Sequence, residues 1–93
     1  MISHTQLEIW VREGESETLE FKRTTGEQKA AAQTLCGMLN HRGGRVLFGV
    51  EPNGRIVGQM VADSTTEGLV QELREIDPPA FPTIDRVPVA NNR

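Results

Sequence analysis

The chain has 93 residues, enough for one small domain, and its net charge of −3 argues against nucleic-acid binding through an overall positive charge. Hydrophobic residues make up 37% of the chain and charged residues 25%, as in ordinary globular domains, and no apolar run approaches membrane-spanning length. Because residues 3–6 are too polar for a signal peptide and the single cysteine, Cys36, excludes an internal disulfide, we expect one cytoplasmic domain over residues 1–93.

The first predicted element is a short helix that begins at a cap, Thr5, and ends before Gly14. Leu7, Trp10 and Val11 recur within it at helical spacing. We expect Trp10 to anchor this helix in the core.

A strand is predicted next, because polar and apolar residues alternate from Thr18 to Phe21. Leu19 and Phe21 are expected to face the core. Glu20 and Lys22 then lie on the opposite face.

Two longer helices follow from apolar residues at helical spacing. The first runs from about Glu27 to Leu39, and its predicted apolar face consists of Ala30, Ala31, Thr34, Leu35, Met38 and Leu39. The second begins among cap candidates at residues 63–67 and ends at residues 77–79, and its buried stripe consists of Leu69, Val70, Leu73 and Ile76.

Between these helices the sequence predicts a hairpin. Residues 46–50 form a short apolar run, Asn53-Gly54 favours a tight turn, and residues 55–58 return antiparallel. From Phe81 onward we expect an extended edge segment containing prolines, and a further turn at residues 91–92 predicts that the natural chain continues. These elements predict an α+β domain with a small, mainly antiparallel or mixed sheet and helices packed on one face.

Carboxylates are the first candidate site. Glu15, Glu20 and Glu51 flank the two predicted strands, and three converging carboxylates could hold Mg²⁺ or Mn²⁺ near a phosphodiester. In an acidic chain the same glutamates can equally form a solvated face, and the spacing does not decide between the two.

Basic residues are the second candidate site. Residues 21–55 contain six basic and two acidic residues, a net charge of +4 within a chain whose remainder carries −7. We call residues 21–55 the basic segment. The candidate nucleic-acid-binding residues within it are Lys22, Arg23, Arg42, Arg45 and Arg55. Their side chains suit phosphate oxygens, although they can also form weak surface ion pairs. The aromatic residues of this segment are expected in the core, so it offers little support for a platform on which single-stranded bases stack.

The pair Gly43-Gly44 could cradle a phosphate through backbone amides, but no lysine and hydroxyl residue follow as in a P-loop. A simple turn is the favoured interpretation. His4 and His41 are too isolated for a zinc site.

An ordered set of short motifs spans most of the chain. They are Glu15-Ser16, Leu19-Glu20-Phe21-Lys22, Leu39-Asn40, the run at 43–50 and the run at 54–58. Together these motifs resemble the AlbA_2 family, also called the Schlafen AlbA_2 or divergent AAA-4 domain, found at the N-terminus of many prokaryotic transcriptional regulators and within Schlafen proteins.

This resemblance implies a nucleic-acid-binding module of a longer regulator, with a tendency to form homodimers. We expect the partner to be DNA in preference to RNA, and we expect binding to require no cofactor. In Schlafen proteins the similar domain belongs to a ribonuclease, and its three acidic residues match Glu15, Glu20 and Glu51 by position. The alternative is therefore a metal-dependent endoribonuclease that uses Mg²⁺ or Mn²⁺, with Lys22 stabilising charge on the phosphate. The family usually has Asp where Glu51-Pro52 stands, and the longer side chain followed by proline argues against metal ligation, although glutamate can also ligate a metal. We expect a binding module more than an enzyme. Dimerisation alone and nucleotide binding are the weaker alternatives.

Overall fold

The structure is a computed structural model that describes residues 2–39, 41–75 and 82–89. In this part of the chain three α-helices and two β-strands form. They are α1 (His4–Glu13), β1 (Leu19–Lys22), α2 (Gln28–Leu39), β2 (Arg45–Phe48) and α3 (Asp63–Glu75). None of these described helices has the length and apolar character that crossing a membrane requires.

Helix α1 begins two residues earlier than predicted. The side-chain oxygen of Ser3 accepts a hydrogen bond from the backbone N–H of Gln6 at 3.1 Å, so Ser3 is the cap and the prediction of Thr5 is wrong. The predicted end is confirmed, because Gly14 has a φ of 83° and its N–H donates to Trp10 O.

Strands β1 and β2 are parallel, with Leu19 opposite Arg45 and Lys22 opposite Phe48. The α+β class is confirmed, but the prediction of a mainly antiparallel sheet is wrong. Helix α2 connects the two strands, and such a crossover is what parallel neighbours need. The sequence pattern predicted that β2 pairs with the residues that follow it across the turn at Asn53-Gly54. In the structure β2 pairs instead with β1, which precedes α2.

The predicted hairpin forms only at its turn. Glu51 N donates to Arg55 O at 2.9 Å, and Val50 and Ile56 make a single antiparallel bridge. Beyond it, the N–H groups of residues 57 and 58 both donate to Gly49 O, so the pairing ends and residues 55–58 do not form a strand.

The sheet is covered on both faces, which corrects the prediction of helices on one face. One face carries a cluster of Leu19, Phe21 and Val50, onto which Trp10, Val11, Leu47 and Ile56 pack. The other carries Val46 and Phe48 against a cluster from α2 and α3 that consists of Ala32, Leu35, Met38, Leu69 and Leu73. Strand β2 therefore presents alternate residues to α1 and to the pair α2 and α3.

Most of the predicted buried positions are confirmed. Leu19 and Phe21 are each 4% exposed, as the alternation in β1 predicted. In α2 the buried face is rotated by about one residue, so that Ala32 is buried in place of Ala30, and Leu39 is 54% exposed.

The C-terminal predictions were less successful. In α3 Leu69 and Leu73 are buried and Val70 is half-buried, while Ile76 and the predicted helix end at residues 77–79 lie outside the described residues. Residues 82–89 do not form the expected edge strand. The turn expected at residues 91–92 also lies outside the described residues.

Candidate nucleic-acid interface

The candidate basic residues lie at two opposite edges of the sheet, one where β1 and β2 begin and one where they end. Arg42 and Arg45 lie at the edge where the strands begin, whereas Lys22 and Arg23 lie where β1 ends and Arg55 lies in the turn after β2. Each four-residue strand spans about 10 Å between these edges. The backbone therefore places the five residues at both edges and not in a single cluster.

Lys22 is the least available of the five. Its Nζ lies 3.6 Å from Glu20 Oε1, and the two side chains are 17% and 28% exposed. Register with Val46 and Phe48 puts both side chains on the sheet face that α2 and α3 cover. Lys22 and Glu20 thus neutralise each other in a half-buried position.

Arg23 and Arg55 are exposed, and neither side chain forms an ion pair with any residue that the structure describes. Their backbones are nevertheless fixed. Arg23 N donates to Glu27 Oε2 at 3.0 Å, and Arg55 N donates to Asn53 Oδ1 at 2.9 Å. The result is two uncompensated cations on an ordered backbone.

Arg42 is paired, but only at the surface. Its Nη2 donates to Glu17 Oε2 at 3.1 Å, and the two side chains are 77% and 85% exposed. An ion pair this exposed contributes little free energy, so a phosphate can replace the carboxylate at small cost.

Arg45 has an aromatic partner. The guanidinium carbon of Arg45 lies 4.1 Å from the centre of the Trp10 ring, in cation–π contact, while Arg45 itself is exposed. The contact forms because Arg45 lies on the same face of β2 as Leu47, and both Leu47 and Trp10 pack against the cluster of Leu19, Phe21 and Val50.

Sequence reasoning missed this pair, because Trp10 lies outside the basic segment and was expected to be only a core anchor. Placing α1 against the strand that carries Leu47 would have found it. The half-buried Trp10 does contribute to the core as predicted, and its ring also holds Arg45.

Glu15 is used by the backbone of β1. Thr18 O and Lys22 O accept hydrogen bonds from residues in and next to β2, so in the alternating ladder Phe21 N–H points to the other edge. There Glu15 Oε2 accepts from Phe21 N at 3.1 Å. This carboxylate thus satisfies the Phe21 N–H on the edge of β1 that faces away from β2.

The other two candidate metal ligands do not join Glu15 in a metal-binding group of three. Glu20 pairs with Lys22, and Glu51 follows β2, where its backbone closes the turn with Arg55. Among the residues that the structure describes, no group of three or more histidine, cysteine, aspartate or glutamate side chains could hold a metal ion. The assignment of these glutamates as ligands stays a prediction from the sequence.

Gly43 and Gly44 make a turn, as the favoured interpretation expected. Gly43 N donates to Met38 O at 2.7 Å and ends α2. A Cβ atom on Gly44 would lie 2.8 Å from Thr18 O and 2.6 Å from Met38 Sδ, so this position requires glycine. The pair brings α2 close to the start of both strands.

Fold and site together define a small α+β domain that exposes arginines at both edges of a two-stranded parallel sheet. The family model for Schlafen, AlbA_2 matches residues 15–93, and the chain belongs to this family. Membership agrees with the motifs in the sequence and is compatible with a nucleic-acid-related role. No curated protein and no solved structure matches the chain.

Proposed function

We propose that this chain is a nucleic-acid-binding module of a cytoplasmic transcriptional regulator, and that it binds the phosphates of DNA through its exposed arginines. The observation that carries the proposal is that Arg23 and Arg55 are exposed and have no carboxylate partner among the described residues. Phosphate oxygens would satisfy both guanidinium groups.

Charge arrangement supports the same proposal in a chain whose net charge is −3. Arg42 exchanges an exposed carboxylate for phosphate, and Arg45 keeps its full charge because its partner is a neutral ring. Lys22 contributes less, since Glu20 neutralises it in a half-buried position. The local charge, not the total, then attracts the nucleic acid.

Binding of a labelled DNA duplex, followed by fluorescence anisotropy at low salt, tests the proposal. The double variant Arg23→Ala with Arg55→Ala should bind more weakly than the wild type, because two phosphate contacts are lost. Arg74→Ala is the matched control: Arg74 is likewise an exposed arginine, but it lies in the last turn of α3, outside the basic segment, so its loss should leave affinity unchanged. Equal affinities for the wild type and the double variant would contradict the proposal, and a structured RNA measured beside the duplex tests the preference for DNA.

The proposal includes a homodimer, for which exposed apolar side chains provide surface. Among the described residues, Met60 is 81% exposed, Leu39 54% and Ile9 42%. Light scattering of the purified chain at high concentration tests it. A mass equal to the 10.3 kDa chain would contradict dimerisation.

A metal-dependent endoribonuclease remains the alternative from the sequence. In the described arrangement Glu15, Glu20 and Glu51 do not fit a shared metal ion, because Glu15 bonds to Phe21 N, Glu20 pairs with Lys22 and no three-residue group forms. DNA binding needs no such ion. Cleavage of structured RNA with Mn²⁺ that Glu20→Gln abolishes would support the alternative over the proposed binding role alone.

A further inference from the structure

We infer that Arg45 and Trp10 form a stacking site for an unpaired base. The module would then bind single-stranded nucleic acid at the edge of the sheet where β1 and β2 begin. This inference rests on the proposed nucleic-acid binding and specifies the form of its partner. It depends on the contact between the guanidinium of Arg45 and the indole ring, with 4.1 Å between the guanidinium carbon and the ring centre.

The contact holds the guanidinium in place before any ligand arrives. Its carbon lies 4.1 Å over the centre of the Trp10 ring, while Arg45 remains exposed to solvent. A planar cation that is already held in place loses little conformational freedom when a second flat group stacks on it. Nucleobases are flat groups that stack on arginine as well as on aromatic rings.

The positive charge at this edge of the sheet favours binding of the nucleic-acid strand whose base would stack on Arg45. Among the described residues no carboxylate forms an ion pair with Arg45, and its ring partner is neutral. Arg42 precedes it by three residues, and its exposed pair with Glu17 is easily exchanged for a phosphate. Together they provide a stacking surface for one base and a contact for a neighbouring phosphate.

A duplex fits this site less well than a single strand. Bases inside a duplex are stacked on each other and present only their edges in the grooves, so none is free to cover the guanidinium. A single strand can turn one base onto Arg45 while its phosphates remain accessible to Arg42.

The chain carries its own reporter for this contact. Trp10 is its single tryptophan and it has no tyrosine, so the intrinsic emission reports on the ring beneath Arg45. The experiment titrates the full chain with oligothymidylate and with an abasic deoxyribose-phosphate oligomer of the same length. Both are also followed by anisotropy of a label at the oligomer end. The abasic oligomer keeps the phosphates and lacks the bases.

Oligothymidylate should change Trp10 emission and bind at least about fivefold more tightly than the abasic oligomer. Arg45→Lys keeps the charge but not the planar group, so it should bring the two affinities together, with folding checked by circular dichroism. Arg74→Lys, in α3, should keep the wild-type ratio.

Two results would overturn the inference. If both oligomers bind equally well to the wild type, or if Arg45→Lys keeps the preference for bases, then no base stacks on Arg45. If neither oligomer nor the duplex binds at low salt, the proposed function itself fails, and that result is distinguishable because anisotropy does not depend on Trp10.

Discussion

The carboxylate of Glu15 accepts a hydrogen bond from the backbone N–H of Phe21, with 3.1 Å between Oε2 and the nitrogen. Phe21 is 4% exposed, and its N–H lies on the edge of β1 that pairs with no other strand among the residues the structure describes. A part-buried N–H without an acceptor is costly. Glu15 therefore has a structural role that the motif alone did not indicate.

Glu15→Ala should lower the free energy of unfolding by about 1–2 kcal/mol, because the Phe21 N–H loses its acceptor. Glu15→Gln keeps an acceptor oxygen in the same place and should recover most of the loss. Urea unfolding measures both variants. Wild-type stability in Glu15→Ala would mean that the carboxylate is free for another role, metal ligation included.

Ser3→Ala should lower the free energy of unfolding by about 1 kcal/mol, because Ser3 accepts a hydrogen bond from Gln6 N at the start of α1. Thr5→Ala is the control, since Thr5 lies within the first turn and is exposed. Thermal unfolding followed by circular dichroism compares them. A larger loss in Thr5→Ala would restore the cap predicted from the sequence.

Gly44→Ala should destabilise the fold by about 1–3 kcal/mol, since its Cβ would lie 2.8 Å from Thr18 O. Gly37→Ala should do the opposite by about 0.5–1 kcal/mol, because Gly37 lies in α2 with no atom within 4 Å of a new Cβ. Both effects are measured by urea unfolding. Equal stabilities for the two variants would contradict the close approach at Gly44.

Arg42→Ala and Glu17→Ala should each change the free energy of unfolding by less than about 0.5 kcal/mol, because their ion pair is exposed. Their effects on DNA binding should be opposite. Arg42→Ala removes a phosphate contact, whereas Glu17→Ala frees Arg42 and removes a repelling charge, so affinity should fall in the first and rise in the second. Anisotropy titrations at low salt measure both, and weaker binding by Glu17→Ala would place the nucleic acid elsewhere.

Local signals predicted the elements of the fold better than their pairing. The alternation at Leu19 and Phe21 and the helical spacing at Leu35 and Leu69 each depend on neighbouring residues, and all four side chains are buried as expected. Strand direction depends on which strands meet across α2. Strand pairing of this kind is a long-range property that local sequence patterns do not show. The turn residues Asn53-Gly54 are a local signal, and they led to the prediction of an antiparallel hairpin.

The same limit applies to the candidate site. The composition of the basic segment identified the arginines, but it could not show that Glu17 pairs with Arg42 or that Trp10 lies beneath Arg45. Both contacts join residues more than twenty positions apart. They depend on how residues before β1 pack against the strands, which spacing along the chain does not reveal.

The dependence of DNA affinity on salt tests the central proposal most directly. For a duplex the slope of log Kobs against log salt concentration is about −0.9 for each phosphate contacted, so contacts by Arg23, Arg42, Arg45 and Arg55, the exposed arginines of the basic segment, predict a slope near −3.5. The double variant Arg23→Ala with Arg55→Ala should reduce the magnitude of that slope by about 2, while Arg74→Ala keeps it. A wild-type slope near zero, or one that the double variant does not change, would contradict binding of phosphates by these arginines.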